Sequence, residues 1–158
     1  MIRRDYRDRN PLFVCPLKGA FIFGGDLIRA ANIACEVDFV RLRSYQETES
    51  SGVIDLLYDC ESAIEGRHVV VVDDIVDTGT TTSFLLSHLR RRNPATLRIC
   101  VLLDKPSRRR VEVNLDYVGF IIPNVFVVGY GLDYEVQYRY LQDMYALAFE
   151  EGDHKAEE

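Results

Sequence analysis

Tryptophan is absent from the 158-residue sequence, methionine occurs twice, and no apolar run reaches the length of about 20 residues that a membrane-spanning helix needs. Arg3 and Arg4 resemble the charged start of a signal peptide. Pro11, Pro16 and Lys18 interrupt the apolar stretch that would have to follow them. We therefore expect a soluble, cytoplasmic protein that has no membrane partner.

The sequence also lacks an excess of basic charge. Its 25 aspartates and glutamates outnumber its 19 lysines and arginines, which gives a net charge of -6. General binding to nucleic acid requires a basic surface, so we expect no nucleic-acid partner. Arginine clusters at positions 90–92 and 108–110 are interpreted as solvated surface.

None of the four cysteines has a spacing typical of metal or redox sites, because the sequence contains no Cys-x-x-Cys pair and no Cys/His cluster. Cys15 and Cys100 lie in apolar runs and are predicted to be small buried hydrophobes. Cys35 and Cys60 flank predicted turns. We expect all four to be reduced thiols.

Short apolar, β-branched runs alternate with segments of helical periodicity, which predicts one α/β domain over residues 1–158 with a mainly parallel sheet. The valines at positions 69–72 form a continuous apolar run, as is typical of a central strand covered on both faces. Residues 46–52 are polar and predict a mobile loop, and residues 152–158 predict a disordered tail. Strands are predicted at residues 12–15, 37–42, 68–72, 97–103, 116–122 and 126–129, and helices at 21–31 and 83–92.

The strongest local motif is VVVVDDIVDTGTTT, in which a buried strand leads into acidic residues, a Thr/Gly turn and a helix. Ligands of open parallel sheets bind beyond the carboxyl ends of the strands. A helix N-terminus with Gly79 and hydroxyl side chains suits a phosphate group, and Asp73 and Asp74 can accept hydrogen bonds from a sugar diol. The alternative is an ordinary strand-to-helix turn with Asp and Thr caps. Three acids and four threonines around one glycine favour the ribose phosphate site.

The segment 73–81 resembles the 5-phosphoribosyl-1-pyrophosphate motif of the type I phosphoribosyltransferases. Segments 16–20 (PLKGA), 41–45 (RLRSY), 102–106 (LLDKP), 117–120 (YVGF) and 126–134 (FVVGYGLDY), followed by Arg139, match the hypoxanthine-guanine branch in order and spacing. The resemblance extends from residue 12 to about residue 147. It implies the type I phosphoribosyltransferase fold, a mainly parallel sheet flanked by helices, with a small C-terminal hood to which residues 126–150 contribute.

The resemblance also implies a binding site for the phosphoribosyl donor. Asp73 and Asp74 would hold the ribose hydroxyls, and Lys18 and Gly19 would meet the pyrophosphate with help from Arg139. Ser44 and Tyr45 would lead a loop that closes over the site. The cradle for the 5-phosphate would consist of Asp77, Thr78, Gly79, Thr80 and Thr81.

A purine site and a magnesium ion follow from the same resemblance. Phe126 would stack on the purine, Val127 would offer backbone groups to its edge, and Lys105 would donate to the 6-oxo group. Asp133 would lie on the side of the purine 2-position. The metal would be Mg²⁺, bound by Asp73, Asp74 and Asp133.

These residue types suit the chemistry of pyrophosphate displacement. Mg²⁺ and Lys/Arg donors stabilise a highly charged leaving group. Closure of the 46–52 loop would shield an oxocarbenium-like centre from water. Asp77 is the expected general base, taking the proton from purine N7.

The sequence therefore predicts a purine-salvage transferase that joins a 6-oxopurine to 5-phosphoribosyl-1-pyrophosphate and acts as a homodimer or homotetramer. Preference among hypoxanthine, guanine and xanthine stays open. A nucleotide-sensing RNA-binding regulator of the same fold is the alternative, which the acidic balance disfavours. The sequence departs from the usual pattern of the branch at Asp73, where Glu is more common, at Gln46, where Gly is usual, and in its shortened N-terminal segment 1–11.

Overall fold

The central strand of the sheet contains the run of valines at positions 69–72, all of them fully buried. β-Branched side chains favour extended backbone, and a strand with no polar face must be covered on both sides. A computed structural model describes residues 1–44 and 54–148. In it this strand lies third from one edge of a six-stranded sheet.

Strand and helix alternate over residues 12–44 and 68–104, as predicted, but the rest of the described chain is mostly successive strands. The helices are α1 (Ile2–Tyr6), α2 (Phe21–Ala31) and α3 (Thr80–Arg90), with a 3₁₀ turn at Pro106–Arg108; the strands are β1 (Leu12–Leu17), β2 (Glu36–Ser44), β3 (Ile54–Tyr58), β4 (His68–Val76), β5 (Thr96–Asp104), β6 (Tyr117–Ile121), β7 (Phe126–Val128) and β8 (Tyr145–Leu147).

The main sheet has the strand order β3-β2-β1-β4-β5-β6 and is parallel except for β3, which pairs antiparallel with β2. β7 and β8 form a separate two-stranded antiparallel sheet. The predicted fold class, a mainly parallel sheet with helices and a small C-terminal hood, is confirmed. Since Val76 pairs with Asp104, the carboxyl ends of β4 and β5 lie side by side at one edge of the sheet.

The pleat of β4 divides its valines between two buried clusters, one on each face of the sheet. Val69 and Val71 belong to the cluster that contains Leu85 of α3. Val70 and Val72 belong to the cluster against which α2 packs. Burying a valine stabilises the fold by about 1.5–3 kcal/mol. The four buried valines therefore anchor β4 in the core, and the acidic residues that follow them in the strand are held by this anchor.

Strand β4 is longer than predicted. The sequence interpretation ended it at residue 72, where the apolar run stops, but the ladder with β5 continues to Val76. Asp73 and Asp74 therefore lie in the strand and not in the following loop. The helix after it, α3, begins at Thr80 and not at residue 83.

Three short elements were not predicted. Helix α1 has only two buried residues, Ile2 and Tyr6, which is too short a pattern to indicate a helix. Strand β3 is an edge strand with partly exposed side chains, and β8 has three residues. In the described part of the chain, no helix has the length and apolar character needed to cross a bilayer.

All four cysteines are free, as predicted. Burial raises the pKa of Cys15 to about 12. It also raises the pKa of Cys100 to about 11. Cys60 is buried as well, although it was assigned to the flank of a turn. Its Sγ lies 3.2 Å from Asp38 Oδ2, and burial raises the pKa of this thiol to about 11.

The turn that contains Cys60 is held from two sides. Asp38 on β2 accepts a hydrogen bond from the backbone N–H of Ser62 (2.8 Å). Arg92, just beyond α3, donates to the carbonyl oxygens of Cys60 and Ser62, each at 2.9 Å. The prediction that the 90–92 cluster is simply solvated is therefore wrong for Arg92, because its guanidinium satisfies backbone carbonyls of this turn.

Replacing Asp38 by asparagine is expected to lower the free energy of unfolding by about 1–2 kcal/mol at pH 7. Burial opposes ionisation of Asp38, but hydrogen bonds from Ser62, Phe39 and Cys60 outweigh it and lower its pKa to about 2. Because this value lies below the ordinary 3.8, the stabilisation is present above about pH 4 and lost as the pH falls towards 2. Urea unfolding of both proteins should show a gap at pH 7 that closes in acid. A gap of equal size at both pH values would contradict this.

Candidate active site

The loop after β1 makes close contact with the acidic end of β4. The Leu17–Lys18 peptide bond is cis. A Cβ atom added to Gly19 would lie 1.7 Å from Asp74 Oδ2, so a larger residue at this position would displace the loop or the carboxylate. The predicted pyrophosphate residues and the predicted ribose carboxylates thus meet at the carboxyl edge of the sheet.

Asp73 and Asp74 are neighbouring carboxylates in a low-dielectric position. Burial, followed by the charge of Asp74, raises the pKa of Asp73 well above its ordinary value. Burial also raises the pKa of Asp74, against hydrogen bonds and the positive charge of Arg139, which lower it. Asp73 is 9% exposed, and its Oδ2 accepts a hydrogen bond from Thr82 at 3.4 Å. Two adjacent buried carboxylates are stabilised by a bound cation or by hydroxyl groups that donate hydrogen bonds to them.

The turn between β4 and α3 is shaped by Gly79, which has φ +82° and precedes the first residue of the helix. A Cβ at Gly79 would lie 2.4 Å from the carbonyl oxygen of Val111 and 3.0 Å from Cδ of Arg109. The sequence interpretation ascribed this glycine to the approach of an anion. The structure gives a second reason, since the chain itself packs against the turn. The carbonyl of Thr78 accepts hydrogen bonds from the N–H groups of Arg110 (2.9 Å) and Val111 (3.0 Å).

Asp77 lies between two cationic side chains. Its Oδ2 is 3.7 Å from Nζ of Lys105, and its Oδ1 is 3.2 Å from Nε of Arg108. Lys105 is only 6% exposed, and its backbone N–H donates a hydrogen bond to the carbonyl of Val76 at 3.0 Å. Lys105 is therefore a buried lysine and does not belong to the solvated surface. Arg108, a member of a cluster assigned to the solvated surface, contacts the predicted base.

The hood contacts the first loop through its glycine turn. Gly131 has φ +100°, and a Cβ there would lie 2.4 Å from the carbonyl oxygen of Gly19. Arg139 donates to the Gly131 carbonyl at 2.6 Å and pairs with Asp133 at 2.5 Å. Tyr130 donates to Asp26 of α2 at 2.8 Å. The predicted pyrophosphate residues Gly19 and Arg139 are thereby linked through Gly131.

The hood also holds the predicted purine residues. The rings of Phe126 and Tyr134 meet edge to face with centroids 5.4 Å apart. Val127 pairs with Ala146 in the small sheet and packs on the buried cluster that includes Leu102. These contacts fix the Phe126 ring and the backbone of Val127 at the start of the hood.

Some predicted residues are not brought together. Among residues 1–44 and 54–148, no three His, Cys, Asp or Glu side chains form a group able to hold a metal ion, so Asp133 does not join Asp73 and Asp74 in one cluster. Asp133 instead accepts from Arg139 and from the N–H of Val136 (3.0 Å). Ser44 is the last residue of β2. Tyr45 and the predicted closing loop 46–52 lie outside the described residues, as does the 152–158 tail.

Sequence reasoning missed an ion pair between Asp104 and Arg109, whose side chains are only 13% and 12% exposed. Asp104 ends β5 beside Val76, at the same edge as the other site residues. A carboxylate at the end of a buried strand needs a partner, and the arginine run five residues later could have suggested one.

A cavity formed by the described residues lies elsewhere. It has a volume of about 520 Å³ and is lined at the opposite end of the sheet by Arg4, Asp5, Tyr6, Arg9, Thr96 and Arg98. None of the predicted site residues lines it. The carboxyl edge remains the candidate site because the polar contacts described above converge there.

Comparison with known proteins identifies the family. Residues 1–135 match the phosphoribosyl transferase domain. The hypoxanthine-guanine phosphoribosyltransferase of Mycobacterium avium is 47% identical over 142 residues, which cover 85% of this chain and 70% of that protein. The bifunctional protein TilS/HprT of Listeria monocytogenes is 46% identical over 138 residues, 87% of this chain. The chain spans only 21% of the length of that relative.

Solved structures agree with the sequence comparison. A hypoxanthine phosphoribosyltransferase from Staphylococcus aureus is 39% identical, with a TM-score of 0.89 over 93% of this chain and 80% of that one. The Trypanosoma cruzi enzyme in complex with its product IMP is 44% identical, with a TM-score of 0.85 over 93% and 83% of the two chains. The resemblance seen in the motifs is thus confirmed over most of the chain, which belongs to the phosphoribosyltransferase family, in its hypoxanthine-guanine branch.

Proposed function

We propose that the chain transfers the phosphoribosyl group of 5-phosphoribosyl-1-pyrophosphate to N9 of a 6-oxopurine, giving a purine nucleoside 5′-monophosphate and pyrophosphate. The observation that carries this proposal is the buried Lys105, whose Nζ lies 3.7 Å from Asp77 Oδ2. Asp77 begins the phosphate turn, defined as residues 77–81, which would bind the 5-phosphate. A 6-oxopurine presents N7 and O6 on one edge. A carboxylate and an ammonium side by side can accept a proton from N7–H and donate to O6 at the same time.

The donor would be held along the carboxyl edge by three segments. The first N–H groups of α3 are directed at the turn, where they and the helix dipole suit the 5-phosphate. Thr78, Thr80 and Thr81 add hydroxyl donors. Asp73 and Asp74 would accept hydrogen bonds from the ribose hydroxyls. Asp74 is the more exposed of the two, and Asp73 already accepts a hydrogen bond from Thr82. Lys18, Gly19 and Arg139 would contact the pyrophosphate.

Magnesium fits this arrangement of side chains. Mg²⁺ prefers oxygen ligands and is usually bound by one or two carboxylates together with substrate phosphates and water. Asp73 and Asp74 supply adjacent carboxylates, and burial raises the pKa of both. Asp133 could bind the metal only if its ion pair with Arg139 breaks, for instance when Arg139 contacts the pyrophosphate. Bound Mg²⁺ would neutralise the charge that develops on the leaving pyrophosphate.

The protein's own residues would then protect and guide the reaction. Asp77 takes the N7 proton as N9 attacks the ribose carbon, while Lys105 holds O6. Phe126 stacks on the purine, and Val127 offers backbone groups to its edge. Ser44 and Tyr45, with the loop 46–52, close over the site and exclude water, which would otherwise hydrolyse the donor. The reaction takes place in the cytoplasm, in a homodimer or homotetramer.

Replacing Lys105 by methionine is expected to narrow the preference for hypoxanthine over adenine by roughly ten- to a hundredfold. An ammonium has donors only, so it favours a 6-oxo acceptor and disfavours a 6-amino donor. Methionine fills the buried volume without a charge and so limits the damage to packing. The measurement is kcat/KM for both bases in both proteins, with donor KM as the control. An unchanged ratio would show that backbone groups, and not Lys105, distinguish the purines.

A further inference from the structure

The segment that follows β5 wraps around the phosphate turn. At its start, the N–H of Lys105 donates to the carbonyl of Val76. Farther along, the N–H groups of Arg110 and Val111 donate to Thr78. The segment 104–111 therefore carries the predicted purine-reading lysine at one end and braces the predicted phosphate cradle at the other.

Between these two ends lies the ion pair of Asp104 and Arg109. One guanidinium nitrogen, Nη2, contacts Asp104 Oδ1 and is also 3.5 Å from the carbonyl oxygen of Val76. The stem of Arg109 lies against the turn, since a Cβ added to Gly79 would be 3.0 Å from Arg109 Cδ. A single side chain thus touches the end of β5, the end of β4 and the phosphate turn.

The ion pair of Asp104 and Arg109 is not a surface salt bridge. Both side chains are nearly buried, and removing one partner of such a pair leaves an uncompensated charge that the surroundings must move to solvate. Asp104 is covalently adjacent to Lys105, and Arg109 is adjacent to Arg110. Movement of the pair would therefore displace both Lys105 and the turn at Thr78 and change the distance between them.

We propose that Asp104 and Arg109 are positioning residues of the transferase, which hold the purine-reading Lys105 and the phosphate cradle at a fixed separation. Neither side chain needs to touch a substrate. Their effect is on the distance between the two substrates, since displacements of about 1 Å in such sites can lower rates by about a hundredfold. This inference rests on the proposed function.

The experiment compares Asp104→Asn, Arg109→Gln and the double variant with the parent protein. We expect both single variants to raise KM for hypoxanthine and KM for the donor by roughly tenfold each, because Lys105 and the phosphate cradle are both displaced from their positions in the parent protein. The double variant should be no worse than either single one, since it removes both buried charges. Arg110→Gln is the matched control, because this neighbouring arginine is exposed and contributes its backbone N–H, which glutamine retains. It should leave both KM values unchanged.

A second readout requires no turnover. Hydrogen exchange of the amides at 78–82 should be faster in Asp104→Asn than in the parent and unchanged in Arg110→Gln. If Asp104→Asn does not fold, Arg109→Lys replaces it, because lysine keeps the charge but cannot span Asp104 and Val76 with one planar group. A lowered melting temperature with unchanged KM values and unchanged exchange would overturn the proposal. A parent protein that makes no nucleotide would refute the proposed function, while the exchange result would still decide the positioning role.

Discussion

Replacing Gly19 by alanine is expected to weaken donor binding by at least about a hundredfold while the fold persists. The new Cβ would lie 1.7 Å from Asp74 Oδ2, so either the backbone of the loop or the carboxylate must move by more than an ångström. Both belong to the proposed donor site. The carbonyl of Gly19 also lies close against Gly131, so movement of the loop would press on the hood. Calorimetric titration with 5-phosphoribosyl-1-pyrophosphate and Mg²⁺ measures the effect without turnover.

The chain supplies a matched control for this substitution. A Cβ added to Gly25, in helix α2, would meet nothing within 4 Å. Gly25→Ala should therefore keep donor affinity and add about 0.5–1 kcal/mol of stability through helix propensity. Near-parental donor affinity in Gly19→Ala would show that the loop after β1 is not part of the donor site.

Replacing Asp77 by asparagine is expected to lower turnover by roughly 10²- to 10⁴-fold, as is typical of a lost general base. Asparagine has the same shape but cannot take a proton from N7. Donor affinity should change only a few-fold, because the backbone of the phosphate turn stays in place. Single-turnover kinetics separates the chemical step from product release and is the appropriate measurement.

The control for charge removal is Glu112→Gln, which neutralises an exposed carboxylate on the segment that follows the site. It should leave turnover unchanged. If Asp77→Asn stays within a few-fold of the parent, the N7 proton is transferred to another acceptor such as water, and Asp77 has only a structural role between Lys105 and Arg108.

Much of the fold could be predicted because its central strands are apolar on both faces. The valine run of β4 and the helical spacing of α2 report burial directly, and their positions agree with the structure. The continuation of β4 through Asp73 and Asp74 could not be predicted in this way. Its backbone pairs with β5, and this pairing holds polar residues in a strand that periodicity alone would end.

The candidate site shows the same division. The resemblance to the hypoxanthine-guanine branch, together with the residue pattern of the turn at Gly79, led to the predictions for Lys105, Asp77 and the glycines. It did not identify the contact of Arg109 with Asp104, nor the second reason for Gly79. Both depend on how the segment after β5 folds back over a turn some 30 residues earlier in the chain, as the Arg109–Val76 and Arg108–Asp77 contacts do.

The most direct test of the central claim is nucleotide formation by the parent protein. With Mg²⁺, 5-phosphoribosyl-1-pyrophosphate and either hypoxanthine or guanine, we expect one purine nucleoside 5′-monophosphate for each pyrophosphate released. Adenine should be a very poor substrate, and removal of the metal with a chelator should stop the reaction reversibly. Nucleotide binding without any turnover, together with binding to RNA, would contradict the account and identify a regulator that uses the same fold.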